Sequence, residues 1–267
     1  MVLMYRSFRY PAQEHVGGDN KIPSILYYDR RGCVRAVGAE ALQQHIIEQA
    51  EEQNWVKLEW YVQKRGCFLV NVGTVRWKLH LRAKHLESSH IKDEDIPPLP
   101  QDRSAVQVLA DFMRYLFACA RNYIIESHAS GASMWKSLEN NIEFVLTHPN
   151  GWEGPQQQQI RRAAEIAGLI PSGGKHADRI HLLTEGEASL HFCVTRVLAS
   201  DLLSKLAIAH PGDLEDADKE VSDHQGIIVI DAGGGTIDLS AYSVKLSPPR
   251  AFKEIAPAEC DFSPYYC

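Results

Sequence analysis

Apolar and polar residues recur with clear periods along much of the chain, and those periods predict its elements. In IPSILYYDRRGCVRAVGAEAL (22–42), two runs rich in β-formers, Ser24–Tyr28 and Cys33–Val37, flank Asp-Arg-Arg-Gly, which predicts a β-hairpin. Residues 39–53 then look helical. Ser104 and Gln107 have the spacing of a capping box. Leu109, Phe112, Met113, Leu116, Phe117 and Ala120 follow at helical spacing, so 104–124 is predicted as an amphipathic helix. In NIEFVLTHP (141–149), Ile142, Phe144 and Leu146 alternate with polar or smaller neighbours, predicting a strand stopped by Pro149. Pro155 is placed to open a helix. Ile160, Ala163, Ala164 and Ala167 mark its inner face, and Gly168 its end. RIHLLTE (179–185) reads as a strand running into a helix over 186–206. GIIVID (226–231) reads as a buried strand. In TIDLSAYSVK (236–245), Ile237, Leu239 and Ala241 alternate with Asp238, Ser240 and Tyr242, predicting another strand. Segment 54–100 gives no clean period and ends in the proline break DIPPLP. The chain's last residues continue no pattern. This order predicts a mixed α/β fold.

Composition narrows the function classes. The 267 residues carry a net charge of −6, which argues against a nucleic-acid backbone as partner. No stretch of about 18 apolar residues exists, so no spanning helix and no membrane partner are expected. MVLMYRSFRYPAQ lacks the apolar core of a signal peptide, and a cytoplasmic setting is expected. The six cysteines, at 33, 67, 119, 193, 260 and 267, form no Cys-x-x-Cys pair and read as free thiols. PGDLEDADKEVSDHQG (211–226) holds six acids against one lysine and reads as a solvated loop.

The candidate chemistry lies in DAGGGTID (231–238). A tight link between two strands needs residues that tolerate positive φ, and glycine does so without steric cost. Two glycines suffice for a turn, whereas this stretch has three, between Asp231 and Thr236. Successive backbone N–H groups over Gly233, Gly234 and Gly235 would form an anion-binding concavity, with the Thr236 hydroxyl beside it. A carboxylate next to a phosphate needs a cation between them, and Mg²⁺ held through water fits Asp231, with Asp238 suited to a nucleophilic water. The plain alternative is a hairpin whose glycines only make the turn. Two other phosphate motifs fail. PSGGKH (171–176) lacks the spacing of a P-loop, and a dinucleotide fingerprint would need a helix where 237–245 alternates with period two.

IIVIDAGGGTIDLSAYSV resembles the second phosphate motif of the ATPase domain of the seventy-kilodalton heat-shock chaperones, within the actin and sugar-kinase superfamily. Upstream, QQQQIRRAAEIAGLI resembles that family's Gln-Arg-x-Ala-x-x-x-Ala-Gly-Leu helix. RIHLLTEGEASLHFCV resembles its first connecting motif, with Glu185-Gly186-Glu187-Ala188-Ser189 where the family has Glu-Pro-Thr-Ala-Ala. NKIPSILYY resembles its early Pro-Ser stretch. The resemblance implies an actin-like ATPase (ribonuclease H-like) fold, present incompletely. Residues 1–210 would be a partial first lobe without its opening strand and phosphate loop. Residues 211–225 would be an acidic loop, and 226–267 the start of a second lobe with the phosphate-binding hairpin. It implies ATP and Mg²⁺ as ligands, and unfolded protein clients or co-chaperones as partners. It matches Asp231 to the magnesium-side acid, and Gly233, Gly234, Gly235 and Thr236 to the phosphate loop. It matches Asp238 to a water-positioning acid, Glu185 to a metal-side glutamate and Lys78 to a phosphate-contacting lysine. On it the chain is expected to be a truncated form with weak or no turnover.

Two other functions are consistent with the same scaffold: a catalytically inactive interaction protein, and a sugar- or acetate-kinase-like enzyme. His80, His85 and His90 recur every five residues and do not converge from one helix or strand, so they read as surface groups. Glu185 and Glu187 read either as paired carboxylates or as acids favoured at a helix N-terminus.

Overall fold

Asp29 closes the first hairpin. Its carboxylate accepts hydrogen bonds from the backbone N–H groups of Arg31 (2.8 Å) and Cys33 (2.9 Å) and from the Arg35 guanidinium (2.9 Å to Nε). The Cys33 N–H and then the Arg35 guanidinium hold the Asp29 carboxyl below its ordinary range. Gly32 takes φ +73°, the left-handed conformation the turn requires. The flanking strands are β1 (Ile25–Tyr28) and β2 (Val34–Val37), paired antiparallel as the sequence predicts.

The computed structural model describes residues 10–15, 22–59, 75–76, 80–81, 99–100, 102–174, 176–197, 224–232, 237–245 and 251–261. The chain divides into two units. One comprises Met1–Val145 and Glu153–His181, the other Leu146–Trp152 and Leu182–Tyr266.

In the first unit, the predicted helix over 39–53 is a 3₁₀ turn at Gly38–Leu42 followed by α1 (Gln44–Gln53). The segment that gave no period contributes β3 (Val56–Glu59) and β4 (Val75–Arg76), and the sheet order is β2-β1-β3-β4. All four β1 residues are buried, so this short strand has both faces covered. On one side Ile25 and Tyr27 pack with Ala36, Ala41, Ala50 and Trp55. The capping box is present at Ser104 and Gln107, and it opens α2 (Ala105–Ser127). A helix that the sequence reading did not find, α3 (Gly131–Leu138), follows. The predicted strand is β5 (Phe144–His148), of which only Phe144 and Val145 belong to this unit, and α4 (Gly154–Ala167) has its proline at the start. Gly168 ends α4 in the left-handed conformation, φ +81°.

A polar cluster centred on the buried Tyr28 and Asp111 ties these elements together. The Tyr28 hydroxyl donates to Asp111 Oδ2 on α2 (2.9 Å), and the Arg114 guanidinium donates to Asp111 Oδ1 (2.5 Å). Arg114 also donates to the Ile166 carbonyl of α4 (2.6 Å), which links α2 to α4. Burial, and then the Asp111 charge, pushes the Tyr28 phenol far above its ordinary value, so it stays a donor.

The second unit holds the end of β6 (Ile180–Thr184), α5 (Glu185–Phe192), and a three-stranded antiparallel sheet. That sheet is β7 (His224–Ala232), β8 (Ile237–Lys245) and β9 (Ala251–Asp261), in that order. The helix predicted over 186–206 starts at Glu185 and passes into a π-helical turn at Cys193–Val197; its remainder lies outside the described residues, as does 211–223 of the acidic loop. Residues 224–226 of the expected loop belong to β7. β9 lies where no pattern was legible. Its Pro257 and its acids obscure the period, and an edge strand tolerates both.

The mixed α/β class is therefore observed, built from small sheets. Among the described residues no helix is long and apolar enough to cross a membrane. Cys33, Cys119 and Cys193 are free thiols.

The alternation in β8 is present, but its sense is inverted. Hydrophobicity alone would bury the Ile237–Leu239–Ala241 set. The buried set is instead Asp238, Ser240, Tyr242 and Val244. Leu190 and Val194 cover that face, packing on Val229, Tyr242 and Val244. Ile228 (71% exposed) and Ile230 (65% exposed) point the other way. Ile228→Thr and Ile230→Thr are accordingly expected to change stability by no more than about 0.5 kcal/mol. Val229→Ala, one residue along and buried, should cost roughly 1–3 kcal/mol. Urea unfolding of the three variants checks the inversion, and equal losses at 228 and 229 would refute it.

Candidate functional site

The glycine stretch lies at one end of the β7–β8 hairpin. The two strands pair in continuous antiparallel register, with Val229 opposite Ser240, Asp231 opposite Asp238 and Ala232 opposite Ile237. Directly opposed residues of an antiparallel pair project from the same face. Asp231 and Asp238 thus share the face that α5 covers. The expectation of two antiparallel strands flanking the glycines is met. Gly233, Gly234, Gly235 and Thr236 lie outside the described residues, and so does Lys78.

The two acids differ in setting. Asp231 is half-buried, whereas Asp238 is 1% exposed. A carboxylate removed from water needs donors. The backbone N–H of Asn150 donates to Asp238 Oδ1 at 2.9 Å, a charge-assisted bond. Asn150 is fully buried and works in several directions. Its side-chain amide donates to the Leu239 carbonyl (3.1 Å) and to Ser240 Oγ (2.9 Å). Its side-chain oxygen accepts from the Gly186 N–H (3.4 Å). Asn150 thereby joins β8 to the start of α5.

Glu185 occupies the strand-to-helix junction that the sequence reading gave it, as the first residue of α5, half-buried. Thr184 caps the helix, its hydroxyl accepting from the Glu187 N–H at 3.1 Å. The Asn150 side chain satisfies a second of the N–H groups that a helix start leaves without an intrahelical partner. Glu187 lies 4.0 Å from His191 one turn on, and both side chains are about half exposed. Glu187 therefore acts as a helix-surface acid at a favourable end of the dipole. Among the described residues no group of three or more His, Cys, Asp or Glu side chains is gathered to hold a metal directly.

Gly186 is the tightest point. A Cβ added there would lie 2.2 Å from Ser240 Oγ, 3.1 Å from Ser240 Cβ and 3.2 Å from Asn150 Oδ1. The absence of a side chain lets the first turn of α5 lie against β8. This accounts physically for glycine where the resembled motif has proline. Gly186→Ala should destabilise the protein by about 1–3 kcal/mol despite alanine's better helix propensity, because Ser240 must give way and loosen its bond from Asn150. Chemical denaturation measures this, and a stabilised variant would contradict the close approach.

Sequence reasoning missed Asn150 and Ser240. Asn150 stands in Pro-Asn-Gly, which reads as a turn. Ser240 alternates with apolar residues and so reads as solvent-facing. Nothing in either local pattern reveals that the two meet across about ninety residues of chain. No protein-family model matches the chain, and no curated protein matches it at a significant level. The heat-shock resemblance rests on the quoted motifs alone.

Proposed function

We propose that the chain binds ATP with Mg²⁺ through the loop between β7 and β8, as a divergent relative of the heat-shock chaperone ATPases. One observation carries this reading. Asp231 and Asp238 stand opposite each other at the two ends of a glycine-threonine link, on the face covered by a helix headed by Glu185. An ordinary hairpin has no use for two carboxylates facing one another at its closed end, because like charges repel there.

In this proposal the Gly233–Gly235 amides and the Thr236 hydroxyl donate to phosphate oxygens. Asp231 and Glu185 offer hard carboxylate oxygens of the kind that hold hydrated Mg²⁺. Bound Mg²⁺ would neutralise phosphate charge next to these acids. Asp238, anchored by the Asn150 N–H, presents its carboxylate in a fixed orientation and orients the attacking water. The finer fold assignment, an actin-like ATPase with its lobes divided near 211–225, belongs to the same proposal. So do a cytoplasmic setting and protein clients or co-chaperones as partners.

A second reading is favoured by the burial of Asp238. An acid tied this firmly into the fold also serves a scaffold that binds partners and has lost turnover. Calorimetric titration with ATP, with and without Mg²⁺, tests binding, and a phosphate-release assay separates the two readings. Magnesium-dependent binding with release supports the ATPase, binding without release supports the scaffold, and no binding ends the proposal.

A further inference from the structure

The first unit has a cavity of about 420 Å³ lined by Arg30, Arg31, Gly32, Asp102, Arg103 and Gln107. Three guanidinium groups there face one carboxylate, so the lining carries a net positive charge. Of the nearby acids, Asp29 is taken up by two backbone N–H groups and by Arg35, while Asp111 is shared among Tyr28, Arg114 and, at 3.7 Å, Arg103 itself, so the uncompensated charge of the cavity comes from Arg30 and Arg31. Arg30 and Arg31 sit exposed on the turn and have no ion-pair partner among the described residues.

The cavity is also pre-organised. Arg103 donates to the Gly32 carbonyl and lies over the Tyr28 ring, 5.6 Å from its centroid. A Cβ at Gly32 would meet Arg103 Nε at 3.2 Å, so glycine at the turn gives this guanidinium its place. Asp29 fixes the turn that presents Arg30 and Arg31. The capping box at Ser104 and Gln107 ends the same wall with the positive end of a 23-residue helix.

From this arrangement we infer a binding site for a small phosphate-class oxyanion, formed by Arg30 and Arg31 on the β1–β2 turn and by Arg103 ahead of α2. Guanidinium forks match tetrahedral and planar oxyanions with paired hydrogen bonds, which a lysine cluster does not. The volume lies within the range of small-ligand pockets. The excess positive charge suits a ligand of two or more negative charges over a single carboxylate. The site shares no residue with the β7–β8 loop.

The test is calorimetric titration of the full chain with inorganic pyrophosphate, without Mg²⁺ and at low salt. Saturable binding to one site is expected, weakening as ionic strength rises. The variant Arg30→Gln/Arg31→Gln should bind at least about fivefold more weakly, since each exposed charge pair contributes little alone and two are lost. Its thermal unfolding should match wild type, because both side chains are exposed. Asp231→Ala should leave pyrophosphate binding unchanged, which keeps this site distinct from the proposed nucleotide loop. ADP without Mg²⁺ serves as competitor. Displacement of pyrophosphate identifies a nucleotide-borne phosphoryl group as the ligand, and its failure identifies a free oxyanion. Absence of saturable binding at low salt, or equal affinity in the double-arginine variant, would overturn the site.

Discussion

Asn150→Ala should destabilise the protein by about 2–4 kcal/mol. The side chain holds three groups at once: the Leu239 carbonyl, Ser240 Oγ and the Gly186 N–H. All lie around a fully buried position, so water does not readily replace the lost partners. Each buried group left without a partner costs about 1–3 kcal/mol, and relaxation recovers part of the sum. The backbone bond from Asn150 to Asp238 survives the substitution, which keeps the loss below that of a broken buried charge pair. In melting experiments this corresponds to a fall of roughly 5–15 °C in Tm. Asn150→Asp should be no better, because it removes the amide donors and sets a second carboxylate near Asp238. A change within about 0.5 kcal/mol for Asn150→Ala would show that the α5–β8 junction is held by packing alone.

The opposed acids should separate in their effects. Asp238→Ala leaves the Asn150 N–H buried without its acceptor and should cost about 1–3 kcal/mol of stability whether or not a ligand is present. Asp231 is half-buried on an edge strand, and Asp231→Ala should leave stability within about 0.5 kcal/mol of wild type. In the proposed site its effect falls on ligand binding. Loss of a charged partner to hydrated Mg²⁺ is worth about 1.5–3 kcal/mol, so ATP–Mg²⁺ affinity should fall roughly 10- to 100-fold. Thermal shift assays with and without ATP–Mg²⁺ read both quantities. An Asp231→Ala variant that is strongly destabilised without ligand would recast this acid as structural.

What the sequence revealed and what it hid follow one physical division. Elements set by local chemistry were legible: the Asp29 turn, the Ser104–Gln107 capping box, Pro155 at a helix start and Gly168 at its end. Each depends on residues within six positions of one another. Elements whose stability comes from distant partners were not. β9 owes its place to pairing with β8, and its own pattern is broken by Pro257. β3 is held by β1, and α3 packs on α2 through the Phe117–Trp135 ring contact. The inverted face of β8 is the clearest case. Its period was readable, but the choice of buried side was decided by α5 and Asn150, which convert Asp238 and Ser240 into satisfied interior groups. At the candidate site, the positions of Asp231, Asp238 and Glu185 at strand and helix ends could be read from turn and cap signals. The residue that ties β8 to the start of α5, Asn150, could not, since its partners lie far away in the chain.

The central claim is that the β7–β8 link is a phosphate loop served by Asp231. Isothermal titration of ATP–Mg²⁺ into the wild-type chain and into Asp231→Ala tests it most directly. The account predicts saturable, magnesium-dependent binding to the wild type and an affinity at least about tenfold weaker in a variant of unchanged stability. No binding to the wild type, or equal binding to both, would contradict it.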